Sequence, residues 1–323
     1  MARLEQLKKK YARQSISAMR AALFEDMSGG QVHSRNKTVI QSALIEHGYK
    51  DLAEKMRVCK PSNRCLNPYC DQCQRTLFEN QRRRFKDNLI DPYIGRDQEA
   101  RENVFFVTVL HALIPFEKPD DQILRFPTRK INEALDEARK QFKSVRRSFD
   151  DKINFIGAFE LEAVNGLLVN LHSVKGQFLA GMNGMDIGLS DKFVLVHSHF
   201  MVDMSGVKPN QDIDELPVDQ FKKALKKRWP SKKQVDVSRL YKNKPVKDSL
   251  KRLADYPLKF PIKYYFRFND MSVENNVIIE GEKHHLIRSH ETDVMAEMIH
   301  GVPQIGLNAI YIRMGISKAS KDN

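Results

Sequence analysis

Apolar and polar positions divide the chain into two textures. Up to about residue 100 the apolar residues recur at helical spacing. Leu4, Leu7 and Tyr11, then Met19, Ala22 and Leu23, are followed by a break at Ser28-Gly-Gly30. Val39, Ile40, Ala43 and Leu44 mark a helical face over Thr38 to His47, and Gly48 suits a helix stop. Arg75 to Phe85 reads as a helix with a basic face. From about residue 101 strand-like runs enter: Val104 to Leu110, Ile153 to Val164, and Phe193 to Val202. They are rich in β-branched and aromatic residues and too short to span a membrane.

Helices are predicted between and after these strands. One covers Thr128 to Phe149, with Thr128 as cap and Ile131, Leu135, Ala138, Phe142 and Val145 on one face. Others cover Asp214 to Trp229, Pro245 to Tyr256 and Glu291 to His300, with extended pieces at Val235 to Val237, Lys263 to Phe268 and Leu307 to Met314. No regular β-α-β alternation exists. The expected class is α+β, with a central, mainly antiparallel sheet flanked by helices. The expected division is a helical N-terminal region over 1–100, a main domain over 101–275, and a tail over 276–323 packed on it.

Charge sharpens the picture. Among 323 residues, 54 Lys and Arg against 41 Asp and Glu leave a net charge of +13, the footprint of a polyanion binder. Arg82, Arg83 and Arg84 form one basic group, and Lys222, Lys223, Lys226 and Lys227 another. Both are candidates for phosphate contact. No apolar stretch reaches eighteen residues and no secretory leader is visible at the start, so a cytoplasmic location without membrane contact is expected.

The four cysteines are clustered: Cys59, Cys65, Cys70 and Cys73. In a reducing compartment such a cluster suits a metal better than disulfides, and four thiolates match a closed structural Zn2+ site. The alternatives are three cysteines completed by a histidine such as His47, or free thiols. A zinc module of this kind is expected to unfold on its own when a ligand is lost, leaving the main domain folded.

His197 and His199 lie one residue apart inside the Phe193–Val202 run. In a strand, residues i and i+2 share a face, so both imidazoles project side by side. Two neutral imidazoles so placed can hold a divalent metal with positions open for a phosphate. The alternative is one buried and one edge histidine, each satisfied by hydrogen bonds. A carboxylate often completes such a site. Glu160 and Glu162 share one face of another strand, and the sequence does not choose between them. The candidate nucleophile is Tyr256, at the end of the Pro245 helix, with Lys259 three residues on. A phenol with a pKa near ~10 is a poor nucleophile unless a polarised phosphate and a cation assist it. Tyr241, Tyr264 and Tyr265 are further hydroxyls that could replace or assist it.

Together, Phe106-Val-Thr-Val-Leu110, His197-Ser-His199 and Tyr256-Pro-Leu-Lys259, in this order, resemble the HUH endonucleases, and most closely the plasmid rolling-circle replication initiator (Rep) proteins. The segment Arg64-Cys65 through Cys70-Asp-Gln-Cys73-Gln-Arg75 is similar to the cysteine-rich segment preceding the nuclease domain in some of them. The resemblance covers roughly residues 59–268, as judged by motif order. It implies a five-stranded antiparallel nuclease sheet, a catalytic Mg2+ or Mn2+, and a 5′-phosphotyrosyl link to single-stranded DNA. The implied partners are the single-stranded origin region, its flanking duplex, and a host helicase and polymerase. An HUH transposase or mobilisation relaxase would use the same residues. A non-catalytic zinc-containing DNA-binding regulator would need only the charge and the cysteines. One departure stands out: the family's middle residue is hydrophobic, and here it is Ser198. Ser198 faces away from the histidine side, so the core layer behind the sheet must differ.

Overall fold

The computed structural model describes residues 40–118, 124–165, 192–208, 215–231, 233–241, 243, 245–255 and 292–316, together with four short strands between 265 and 285. The helices are α1 (Lys50–Arg57), α2 (Asp71–Phe85), α3 (Asp97–Asn103), α4 (Thr128–Arg147), α5 (Pro217–Arg228), α6 (Val246–Asp255), α7 (Thr292–Ile305) and α8 (Leu307–Ile310). The strands are β1 (Val104–Pro115), β2 (Asn154–Asn165), β3 (Lys192–Asp203), β4 (Val235–Arg239), the short β5 to β8 (Tyr265–Phe266, Asn269–Met271, Ile278–Glu280, His284–His285) and β9 (Tyr311–Met314). The class is α+β, as the mixed pattern predicts.

Five strands form one sheet in the order β4-β1-β3-β2-β9, every neighbouring pair antiparallel. β3 is central and buried along nearly its whole length, which explains its continuous apolar run. The C-terminal segment supplies the edge strand β9 and the buried helix α7. Gly157 sits where β2 closes on β3: a Cβ there would overlap the His199 carbonyl and Phe200.

The two faces of the sheet carry different layers. On the far face, Phe105, Val107, Val109, Phe155, Phe159 and Phe200 pack against α4 and α5. The α4 stripe is as predicted: Ile131, Leu135, Ala138, Phe142 and Val145 are all buried. Thr128 is not the cap. It is the first helical residue, Pro127 takes the cap position, and no side chain caps that end. On the near face, Ile156 and Met201 meet Phe85, Leu89, Tyr93, Val246 and Leu250. Helices α2 and α6 therefore cover the face that carries the paired histidines.

The far layer explains Ser198. Its side chain is fully buried, and its Oγ lies 2.9 Å from His111 Nε2. His111 sits where the β1–β3 register slips between Leu110 and Ala112. Gln234 pins that bulge by bonding both backbone groups of Leu110. The imidazole is ringed by Phe142, Phe159 and Trp229. The Ser198 hydroxyl thus gives the buried His111 ring a polar partner in an otherwise aromatic layer.

Ser198→Val should therefore cost about 1–3 kcal/mol, since it strands a polar ring nitrogen, and adding His111→Phe should recover much of that loss. Urea unfolding of the two single variants and the double variant checks it. Burial holds the His111 pKa down to about 3. The unfolded chain then binds the extra proton first, so this group removes stability as pH falls from about 6.5 to about 3. His111→Phe should flatten the stability–pH curve in that window.

Candidate metal centre

Along β3 the near face reads Leu195, His197, His199, Met201, two histidines between two apolar residues. The register brings Glu160 of β2 opposite His197, and Thr108 of β1 opposite His199. His197 Nε2 lies 3.8 Å from Glu160 Oε2, and His199 Nε2 lies 3.4 Å from the same oxygen. Glu162 Oε2 is 3.6 Å from His197 Nε2. These separations are longer than hydrogen bonds and suit donors facing a shared cation.

The setting is nearly dry. Glu160 and Glu162 are 5% and 3% exposed, His197 and His199 5% and 6%. Among the described residues, the only groups near the Glu160 carboxylate that can carry positive charge are the two imidazoles. A buried carboxylate needs a counter-charge, and a divalent ion supplies one. Glu160, His197 and His199 each offer one ligand atom within 4.8 Å of the others, whereas Glu162 falls outside that group.

Neighbouring side chains fix the rings. Thr108 Oγ1 lies 2.9 Å from His199 Nδ1. If Nδ1 donates to that hydroxyl, the Nε2 lone pair is left facing Glu160. Phe106 stacks on the His199 ring at a 5.7 Å centroid distance and 7° between planes. The motif reading included both residues in the β1 run without giving either a role. Strand periodicity puts Phe106 and Thr108 on one face, but only the β1–β3 register shows that this is the histidine face.

The cysteines also converge. All four Sγ atoms lie within 4.8 Å of one another, and Cys73 Sγ is 3.6 Å from both Cys59 and Cys65 Sγ. A tetrahedral Zn2+ with Zn–S bonds near 2.3 Å sets its sulfurs about 3.8 Å apart, so the thiols fit such an ion. His47 is exposed and takes no part in the group. The Cys70 thiol is pulled down to about 5, first by its hydrogen bond with Cys65 and then by backbone N–H groups. Leu66 adopts a left-handed φ of 59° to turn the loop between the second and third cysteines.

This loop does not stand apart from the main core. Cys70, Cys73 and Tyr69 belong to the same contiguous buried cluster as the far face of the sheet. Asn67 donates to the Ile299 carbonyl of α7 at 2.8 Å. Burial, and then the Glu160 carboxylate, push the Tyr69 phenol up. Sequence reading gave Tyr69 no role. It precedes Cys70 directly, and no local pattern ties it to a residue ninety positions on.

The remaining candidates are spread out. Arg82 and Arg83 are exposed and Arg84 half-buried on α2, over the near face. Lys222, Lys223, Lys226 and Lys227 ride on α5, which packs against the far face. Tyr241 is exposed, and Tyr265 lies in β5, paired with β8. Tyr256, Lys259 and Tyr264 lie outside the described residues. Among the described residues no helix is long and apolar enough to cross a membrane. Comparison with protein-family models, curated proteins and solved structures finds no match.

Proposed function

We propose that this protein is a metal-dependent enzyme that nicks and rejoins single-stranded DNA through a tyrosine, and so starts rolling-circle replication. One observation carries the reading: Glu160, His197 and His199 meet on the sheet face against which α6 packs, and α6 ends at Asp255, one residue before Tyr256.

The three side chains would hold Mg2+ or Mn2+, which when bound supplies Lewis-acid polarisation of the scissile phosphate. The chain's own residues do the rest. Thr108 and Phe106 hold the His199 ring, and the dry pocket keeps the Glu160 charge unscreened. Tyr256 would attack phosphorus: the phenolic O–P bond forms and the P–O3′ bond breaks. The phenolic proton ends on the departing 3′ oxygen, which becomes the primer hydroxyl. Lys259 would steady the charge that develops. The thiol site, kept separate, would hold Zn2+ for structure.

The test is incubation of the full chain with candidate single-stranded origin DNA and Mn2+, followed by denaturing gels. A covalent DNA–protein adduct should form, and Tyr256→Phe should reduce it at least a thousandfold. An adduct that persists in that variant moves the nucleophile elsewhere. Absence of cleavage on every candidate origin, with Mn2+ bound, overturns the enzyme reading.

A further inference from the structure

The near face continues past the histidines to the sheet edge. The register runs Thr108, His199, Ala158, Tyr311 across β1, β3, β2 and β9. Directly opposed residues share a face, so Tyr311 stands on the histidine side, two strands from His199. At about 4.8 Å per strand that is about 10 Å. Arg313, two residues on, shares the face and opposes Ile156. Its Cζ lies 4.6 Å from the centre of the Tyr311 ring. The Arg84 Cζ, from α2, lies 5.4 Å from the same centre. One ring therefore holds two guanidinium groups from distant parts of the chain. Among the described residues neither guanidinium is in an ion pair.

Two like charges on one ring repel each other. The ring quadrupole offsets part of this, and an anion between or beside the groups would offset the rest. Edge strands also carry charge simply to prevent sheet-to-sheet pairing, which would explain Arg313. It does not explain Arg84, which comes from a helix and points its charge at the same ring.

We propose that Arg84, Tyr311 and Arg313 form a clamp for the phosphodiester backbone of single-stranded DNA at the β9 edge of the sheet. The inference rests on the nicking reading above and names where the strand lies. Tyr311 acts as a positioning residue: its ring holds the guanidiniums, and its hydroxyl is not needed.

The test is equilibrium binding of fluorescent oligo(dT) to the full chain in EDTA, across a salt series. Without divalent metal, cleavage cannot contribute. Arg313→Ala should weaken binding about tenfold at low salt and lower the slope of log K against log salt by about 0.7, one phosphate contact on a single strand. Adding Arg84→Ala should lower it by about 1.4 in total. Tyr311→Phe should bind as the parent does, and Tyr311→Leu should not. Arg313 is exposed, so its variant should fold even if a Tyr311 variant does not. Unchanged affinity and slope in the Arg84→Ala/Arg313→Ala variant, with or without a lowered Tm, would reduce the trio to an edge-strand device. An equal loss on duplex DNA would reassign it to general phosphate attraction. If these variants bind normally while the parent still forms its tyrosyl adduct, only the clamp fails. If the parent binds no single strand at all, the nicking reading fails with it.

Discussion

Glutamine in place of Glu160 should abolish Mn2+ binding at the histidine pair and reduce nicking at least a thousandfold. The change removes one charge and almost no volume. Glu160 lies within reach of both imidazoles, at 3.8 and 3.4 Å, while Glu162 reaches His197 alone, at 3.6 Å. Glu162→Gln should therefore weaken the metal only about tenfold to a hundredfold, the range of a supporting group. Stability should move the other way. Without metal, Glu160 buries a carboxylate at 5% exposure, so the amide should leave the metal-free Tm unchanged or raised. Mn2+ titration followed by electron paramagnetic resonance reads the first effect, and thermal melts in EDTA read the second. Equal loss of Mn2+ in both variants would make Glu162 a full ligand. Retention of Mn2+ in Glu160→Gln would remove the carboxylate from the site.

Loss of zinc should destabilise the whole protein, and not the cysteine loop alone. Binding energy at a structural zinc site is folding energy, on the order of 10 kcal/mol in isolated zinc peptides. Here Cys73 and Cys70 are 4% and 8% exposed and share the buried cluster of the sheet, so unfolding the loop would open that core. Cys73→Ser should lower Tm by about 10 °C or more, in one transition. Elemental analysis should find one zinc per chain, retained at EDTA levels that stop nicking. A zinc-free native protein, or a Cys73→Ser variant with unchanged Tm, would leave the free-thiol reading. A melt in two separate steps would restore an independent module.

Periodicity carried most of the local structure. The α4 stripe and the helices at 217–228 and 246–255 were legible because a helix packed on a sheet shows its buried face as spacing, and the three long strands because a sheet covered on both faces reads as an apolar, β-branched and aromatic run. The strand period also put His197 beside His199 and Glu160 beside Glu162, since residues two apart must share a side. Ends were less legible: Thr128 has the chemistry of a cap, but the chain turns one residue earlier, at Pro127. Spacing within one strand says nothing about its neighbour. Only the β2–β3 register set Glu160 opposite His197 and within 4 Å of both rings. Only the slip in β1 sent His111 into the far layer to meet Ser198. Arg84 and Arg313 meet on one ring from distant parts of the chain. The sequence by itself determined which residues share a strand or helix face, because that follows from backbone geometry. Which faces meet was decided by strand order, register and layer packing, which depend on the whole folded chain.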